Sequence, residues 1–392
     1  MPTSSAPLLL TQRSGRVVTA IENEGHWTLT DVSTSGRWPS WSPDRQWTVR
    51  SEVTVSGESA RSTIVAERLD GTMQAPIFEG PFGQTTFIAP NVPHYALWSP
   101  DGHAVSYVAA TEQGLSLAVS TVDGAIREHR IATGVPLFHS WSADGDRIAV
   151  HEGARLSVFE RSTLATAEVH QNALGFRAPQ FTPDGSLLYA SPAPAGGIAL
   201  FKQDVRGRTH ELGRFDGGLA FTVAASEVFV AVTRQPDAST FDALWRVALD
   251  GSGREPVARG PLAAFWPSPA GDVVATVVPM QSGDGTIALR ARSASGEVLA
   301  ATEAFLPSDD LRVAMAFFDQ YGLSHSPWSP AGDRFVIAGR VGADAVSSSF
   351  GDAIGYCVMT WRPARAQPLE RIVPGTFASF PPATATRGRL SQ

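Results

Sequence analysis

The sequence predicts an all-β chain: a single β-propeller of four-stranded blades, eight in number, or seven if the N-terminal copy only completes a blade. Three observations predict it. A short unit recurs along the chain, fullest at Trp98-Ser99-Pro100-Asp101-Gly102. From Trp98 its anchors fall at spacings of 43, 40, 40, 45 and 62 residues. Each period holds several short apolar strands parted by turn residues, and a period near forty with such strands marks propeller blades.

The unit has a physical reading. Pro100 presets φ at the second turn position, Asp101 can hydrogen-bond the backbone ahead of it, and Gly102 accepts φ > 0. The run Val105 to Ala110 is apolar with little alternation, as in a strand covered on both faces. The aromatic before the turn offers a large surface to bury. In chain order, Leu8 to Val18 reads as a degenerate first copy and Trp27 to Val32 as a strand. Further copies begin at Trp41, Trp98, Trp141, Phe181, Phe221, Trp266 and Trp328, the Phe221 copy being the weakest. A second strand follows in each period, for example Leu115 to Thr121, Leu156 to Arg161 and Ile198 to Asp204. Asp-Gly pairs at 70–71, 123–124 and 250–251 then turn the chain into an outer strand. Thr376 to Pro381 is a short apolar strand that could pair beside the N-terminal strands and remove an open edge. The propeller is expected over 1–382, with 383–392 a frayed tail.

Composition narrows the classes. Of the 392 residues 43% are hydrophobic and 18% charged, enough apolar surface for a core and no signature of disorder. A net charge of −7 and the lack of a basic tract argue against nucleic acid as partner. The single cysteine, Cys357, excludes an intramolecular disulfide and reads as a small buried hydrophobe. The first ten residues lack a positive n-region and no apolar run reaches membrane-spanning length, so a cytoplasmic location without membrane insertion is expected.

At these residues the chain resembles a family. The Trp-Ser-Pro-Asp-Gly unit followed by a Val/Ile-rich strand is similar to the TolB-like (WD-repeat-like) β-propeller repeat, over nearly the whole chain. The resemblance implies the fold. Its members include periplasmic partner-binding proteins, the propeller halves of serine peptidases and a few lyases, so it implies no single activity. The Trp-Asp ending of true WD repeats is absent.

Two periods are long: 57 residues from Trp41 to Trp98 and 62 from Trp266 to Trp328. Part of the first excess is a polar hairpin around Ser56 to Arg61. The rest, 81–95 and 307–325, is placed just before an anchor, in the connection entering an inner strand. Such connections share one face, so both insertions are expected to crown one rim of the central channel. In the second, Ser308 reads as an N-cap and Asp309 and Asp310 as first-turn acids. Leu311, Ala314, Met315 and Phe318 follow helical spacing, with Gly322 as a stop. The stretch ending at His325 then gathers Phe318, Asp319, Gln320, Tyr321 and His325. These, with His94, Tyr95, His139 and Arg177, are the candidate ligand- or partner-binding residues. The alternative is that the helix closes the rim and its polar groups cap turns.

His94, His139 and His325 all precede anchors and could together bind a transition metal, but they stand 4, 2 and 3 residues ahead, so strand alternation would not aim them alike. No Gly-x-Ser-x-Gly elbow, phosphate-cradling glycine loop, His-Glu-x-x-His or paired cysteine is present. The leading expectation is therefore a non-enzymatic propeller without cofactor or metal, binding a protein or peptide on the insertion-bearing rim. One alternative is a channel-mouth enzyme, lyase- or lactonase-like and metal-assisted, using His94, His139, His325 and Arg177. The run Asp146 to Gly153 is faintly similar to oligogalacturonate lyases, propellers that use such a histidine set. A purely structural assembly subunit is the other alternative.

Overall fold

The structure is a computed structural model; it describes residues 6–57, 59–82, 92–111, 114–235, 239–280, 285–341, 355–363 and 368–383. These form eight antiparallel blades of a propeller. Blades two to seven follow one plan, seen in blade three: an inner strand His94–Trp98, then Ala104–Thr111, Gly114–Thr121 and the outer His129–Thr133. The inner strands of blades two, four, five, six and seven are Arg37–Trp41, Leu137–Trp141, Gln180–Phe181, Gly218–Ala224 and Ala264–Pro267.

The repeated unit forms the turn between the inner and second strands, and its serine proves as important as its Pro-Asp-Gly. In blade three the Ser99 hydroxyl donates to Asp101 Oδ1 (2.5 Å) and accepts from the Ala104 amide (2.9 Å), while Asp101 accepts from the His103 amide (3.1 Å). Ser42–Asp44, Ser142–Asp144 and Thr182–Asp184 make the same bond in blades two, four and five. In blades seven and eight the acid moves two places later, and Ser268–Asp272 (2.6 Å) and Ser329–Asp333 (2.7 Å) restore it. Gly102 sits at φ +75°, and in blade two Arg45 must take the same left-handed place at φ +61°. Blade six does not repeat the Ser-x-Asp pattern and turns in two residues, Ala225 and Ser226, with Ala224 opposite Glu227.

Two of the anchors pin their blades to the preceding one by a hydrogen bond. The Trp141 indole donates to Ser106 Oγ of blade three (2.8 Å), and Trp328 donates to the Trp266 carbonyl of blade seven (2.9 Å). Both rings are buried.

The ring is closed by the end of the chain. Phe377–Ser379 is the inner strand of blade one, paired with Leu8–Thr11, which is followed outward by Val17–Asn23 and His26–Ser33. This corrects the reading of 8–18 as a first copy of the unit. Because the C-terminal strand takes the inner lane, that turn joins the second and third strands and stands one strand out of phase. The tail at 384–392 lies outside the described residues.

Blade eight departs most. Its inner lane starts with Phe305–Pro307, whose partners run from Val341 back to Gly339, and resumes only at Trp328, opposite Phe335. The chain between leaves the lane as two helices, α1 (Asp309–Ala316) and α2 (Phe318–Ser324). The insertion thus interrupts an inner strand rather than preceding it. Ser308 caps α1, accepting from the Leu311 amide at 3.1 Å. The helix breaks at Phe317 (φ −125°, ψ 41°), not at Gly322, which lies within α2. Among the described residues no helix is long and apolar enough to cross a membrane.

Candidate functional site

The helical insertion does not stand up from the rim. It folds inward, and α2 packs against the inner strands of blades three, four, six and seven, which face the channel from opposite sides. Apolar spacing explains the grip: Phe318 enters a cluster with Phe265 and Trp266 of blade seven, while Tyr321 packs on Trp38 and Tyr95 of blades two and three.

Polar contacts finish the plug. The channel-facing edge of an inner strand carries backbone groups with no strand to pair them, and burying them unpaired is costly. The Gln320 side chain answers both groups of His139, accepting from its amide (3.0 Å) and donating to its carbonyl (2.9 Å). The Tyr95 hydroxyl donates to the Gln320 carbonyl (2.7 Å). Arg177, in the connector leading to blade five, forks onto Asp319 through Nε (3.0 Å) and Nη2 (2.8 Å), and also bonds the Ala316 carbonyl. The Asp319 side chain is 1% exposed and that of Arg177 28%. His151, of the second strand of blade four, holds that connector: it stacks on Phe176 at 4.3 Å and its ring nitrogens reach the Arg177 and Ala173 carbonyls at 2.7 and 2.8 Å.

The predicted residues are thus gathered but not offered. Phe318, Asp319, Gln320, Tyr321, His325, His94, Tyr95 and His139 are all buried, and only Arg177 keeps appreciable exposure. Phe318, Asp319, Gln320, Tyr321, Tyr95 and Arg177 make their side-chain contacts within the plug or against its walls, whereas His94 and His139 bond serines of the blades.

The three histidines diverge. His94 lies between Ser51 (3.1 Å) and Ser62 (3.0 Å), within blade two's side of the interface. His139 pairs with Ser106 (2.8 Å). His325 meets Ser324 (2.6 Å) and the Trp38 carbonyl (3.3 Å). Burial pushes the pKa of His94 and of His139 down to about 3, and that of His325 to about 4. Among the described residues no group of His, Cys, Asp and Glu side chains is placed to hold a metal ion.

Beside the plug a cavity of about 200 Å³ opens between blades three and four. Tyr95, Val108, Leu115, Leu137, Phe317 and Tyr321 are among its walls, with Val135, Pro136 and Phe138 on the blade-four side. Sequence reading missed this site. Its one signal was the apolar pair Val135-Pro136 in a connector, where polar residues are usual. Segment 81–95, expected to crown the same rim, lies mostly outside the described residues; its described ends are the outer strand of blade two and the inner strand of blade three.

Comparison with known proteins places the chain at the level of fold. No family model and no curated protein sequence matches it. Among solved structures, a eukaryotic initiation factor is 11% identical, with 97% of this chain and 99% of that chain covered and a TM-score of 0.56. Dihydro-heme d1 dehydrogenase, solved in complex with DHE, is 12% identical over 95% of this chain and 74% of that one, also at 0.56. TolB from Acinetobacter baumannii is 14% identical, covering 85% and 82%, with a TM-score of 0.38. The chain is a β-propeller.

Proposed function

We propose that this propeller is a non-enzymatic binding module that takes a protein or peptide on the face where the blade connectors and the helical insertion lie. The observation that carries the reading is the exposed apolar edge of the cavity beside the plug: Val135 is 69% exposed, next to Pro136, and Phe317 stands across from them. Leu174, in the Arg177 connector, is exposed on the same face. Solvated apolar side chains beside an apolar depression suit a partner surface. The channel, where propellers commonly hold small ligands, is occupied by the chain's own helix, and the imidazoles an enzyme would need are bonded to serines and backbone in separate places.

The test uses exposed positions whose substitution spares the core. Val135→Asp with Leu174→Asp should remove the protein that the wild-type chain captures from a lysate. Val205→Asp, in an outer hairpin turn on the opposite face, should retain it. A captured set that the first pair leaves unchanged contradicts the reading.

A further inference from the structure

We infer that His151 is held as the imidazolium, with a proton on each ring nitrogen, and that the second proton latches the loop 173–177, which carries part of the proposed partner surface. Binding on that face is thereby regulated by pH. This rests on the partner-binding reading and deepens it.

Hydrogen-bond chemistry is the first argument. Nδ1 of His151 lies 2.7 Å from the Arg177 carbonyl oxygen, and Nε2 lies 2.8 Å from that of Ala173. A carbonyl oxygen only accepts, and a neutral imidazole has one N–H and one bare lone pair. The neutral ring would press that lone pair against a carbonyl, with no room for a water between. Only the ring protonated on both nitrogens makes both bonds. The setting is the second argument. The ring is 2% exposed and lies flat on Phe176, with centroids 4.3 Å and planes 3° apart, so an aromatic face and two carbonyl dipoles surround the charge. On its own sheet the ring stands opposite Phe138 and Leu156. His170, in line beyond Leu156, accepts from the Asn172 amide. Glu152 points to the other face of the strand and pairs with Arg155, and the Arg177 guanidinium turns to Asp319. Among the described residues no carboxylate pairs with His151, so the carbonyls hold its charge. Position is the third argument. The two carbonyls bracket Leu174, Gly175 and Phe176, so the loop wraps the ring. Leu174 in this loop is 41% exposed. The Ala173 amide bonds the Ala154 carbonyl (2.8 Å), and the Gly175 carbonyl accepts from the Leu219 amide of blade six (2.6 Å). Loss of the second proton breaks one of the ring's bonds and sets a lone pair against a carbonyl. The loop then loosens, and Leu174 and Arg177 with it.

The test observes the ring directly. Long-range proton–nitrogen correlation NMR of the isotope-labelled full chain reads the state of each His151 nitrogen across a pH titration, assigned by the signals that His151→Gln removes. Two protonated nitrogens are expected at neutral pH, passing to one as pH rises. Across that step, hydrogen exchange of the Ala173 and Leu219 amides, corrected for intrinsic rate, should quicken about fivefold, the worth of one hydrogen bond, and lysate capture should weaken. His151→Gln donates to one carbonyl and does not titrate, so it should show neither change. The wild-type titration alone decides the state of the ring. A bare nitrogen throughout the neutral range overturns the inference, as does amide exchange that ignores the step. The two readings fail separately. A latch seen by NMR and exchange, while the aspartate pair leaves capture unchanged, upholds the latch and removes the partner surface. Capture that the aspartate pair abolishes but the step leaves unchanged overturns the regulation and keeps the surface.

Discussion

Three imidazoles lie where only the neutral ring is comfortable. His94, His139 and His325 are buried, and that burial alone holds their pKa values at about 3, 3 and 4. Their unfolded values lie near 6.5, so between about pH 6.5 and the folded values the unfolded chain binds more protons. Stability is then complete above pH 6.5 and is lost as pH falls through that window. Each histidine should cost about 2 kcal/mol between pH 7 and pH 5, and His94→Gln or His139→Gln should flatten the profile of melting temperature against pH. A profile equally steep in wild type and variants would contradict the assignment. The divergence of the three rings was legible in their unequal offsets from the anchors. Their serine partners were not, because Ser51, Ser62 and Ser106 sit on strands tens of residues away and in another hairpin. Nor could sequence show Gln320 turned into a substitute strand edge, since an amide on a short helix reads the same facing water or backbone.

At the scale of elements the insertion is held by one ion pair as much as by its apolar face. Arg177 and Asp319 were each singled out from sequence for separate reasons, and the fold joins them across 142 residues. Removing the arginine strands a carboxylate that is almost wholly buried. Arg177→Ala should therefore cost about 3 kcal/mol, and Asp319→Asn added to it should cost much less than the sum of the two single changes. Additive losses in chemical denaturation would mean that the pair is not coupled. The start of α1 was legible, because Ser308 and the acids behind it are local signals. Its break at Phe317 and its inward course were not. Helical spacing states that a face will be buried but not which wall will bury it, and here Phe318 and Tyr321 serve opposite walls. Gly322 is misleading as a stop because it lies inside α2, whose last turn carries on past it to Ser324.

For the whole molecule the period carried most of the architecture. Anchor, turn and buried strand are short-range features repeated seven times, so their spacing exposes the ring without knowledge of any long-range contact. Closure by Phe377–Ser379 was foreshadowed by a short apolar strand at the end of the chain, and the phase of blade one was hidden because only pairing with that strand sets it. The split inner lane of blade eight was likewise invisible, since Phe305–Pro307 resembles a strand end and gives no sign that its continuation is Trp328. The account as a whole depends on α2 being seated in the channel, which leaves binding to the rim. Hydrogen–deuterium exchange of the full chain measures this directly. The amides of Tyr321 and His325, bonded to the Phe317 and Tyr321 carbonyls at 2.8 Å each, should exchange as slowly as those of the inner strands around them. Exchange of those two amides at the rate of an exposed loop would contradict it.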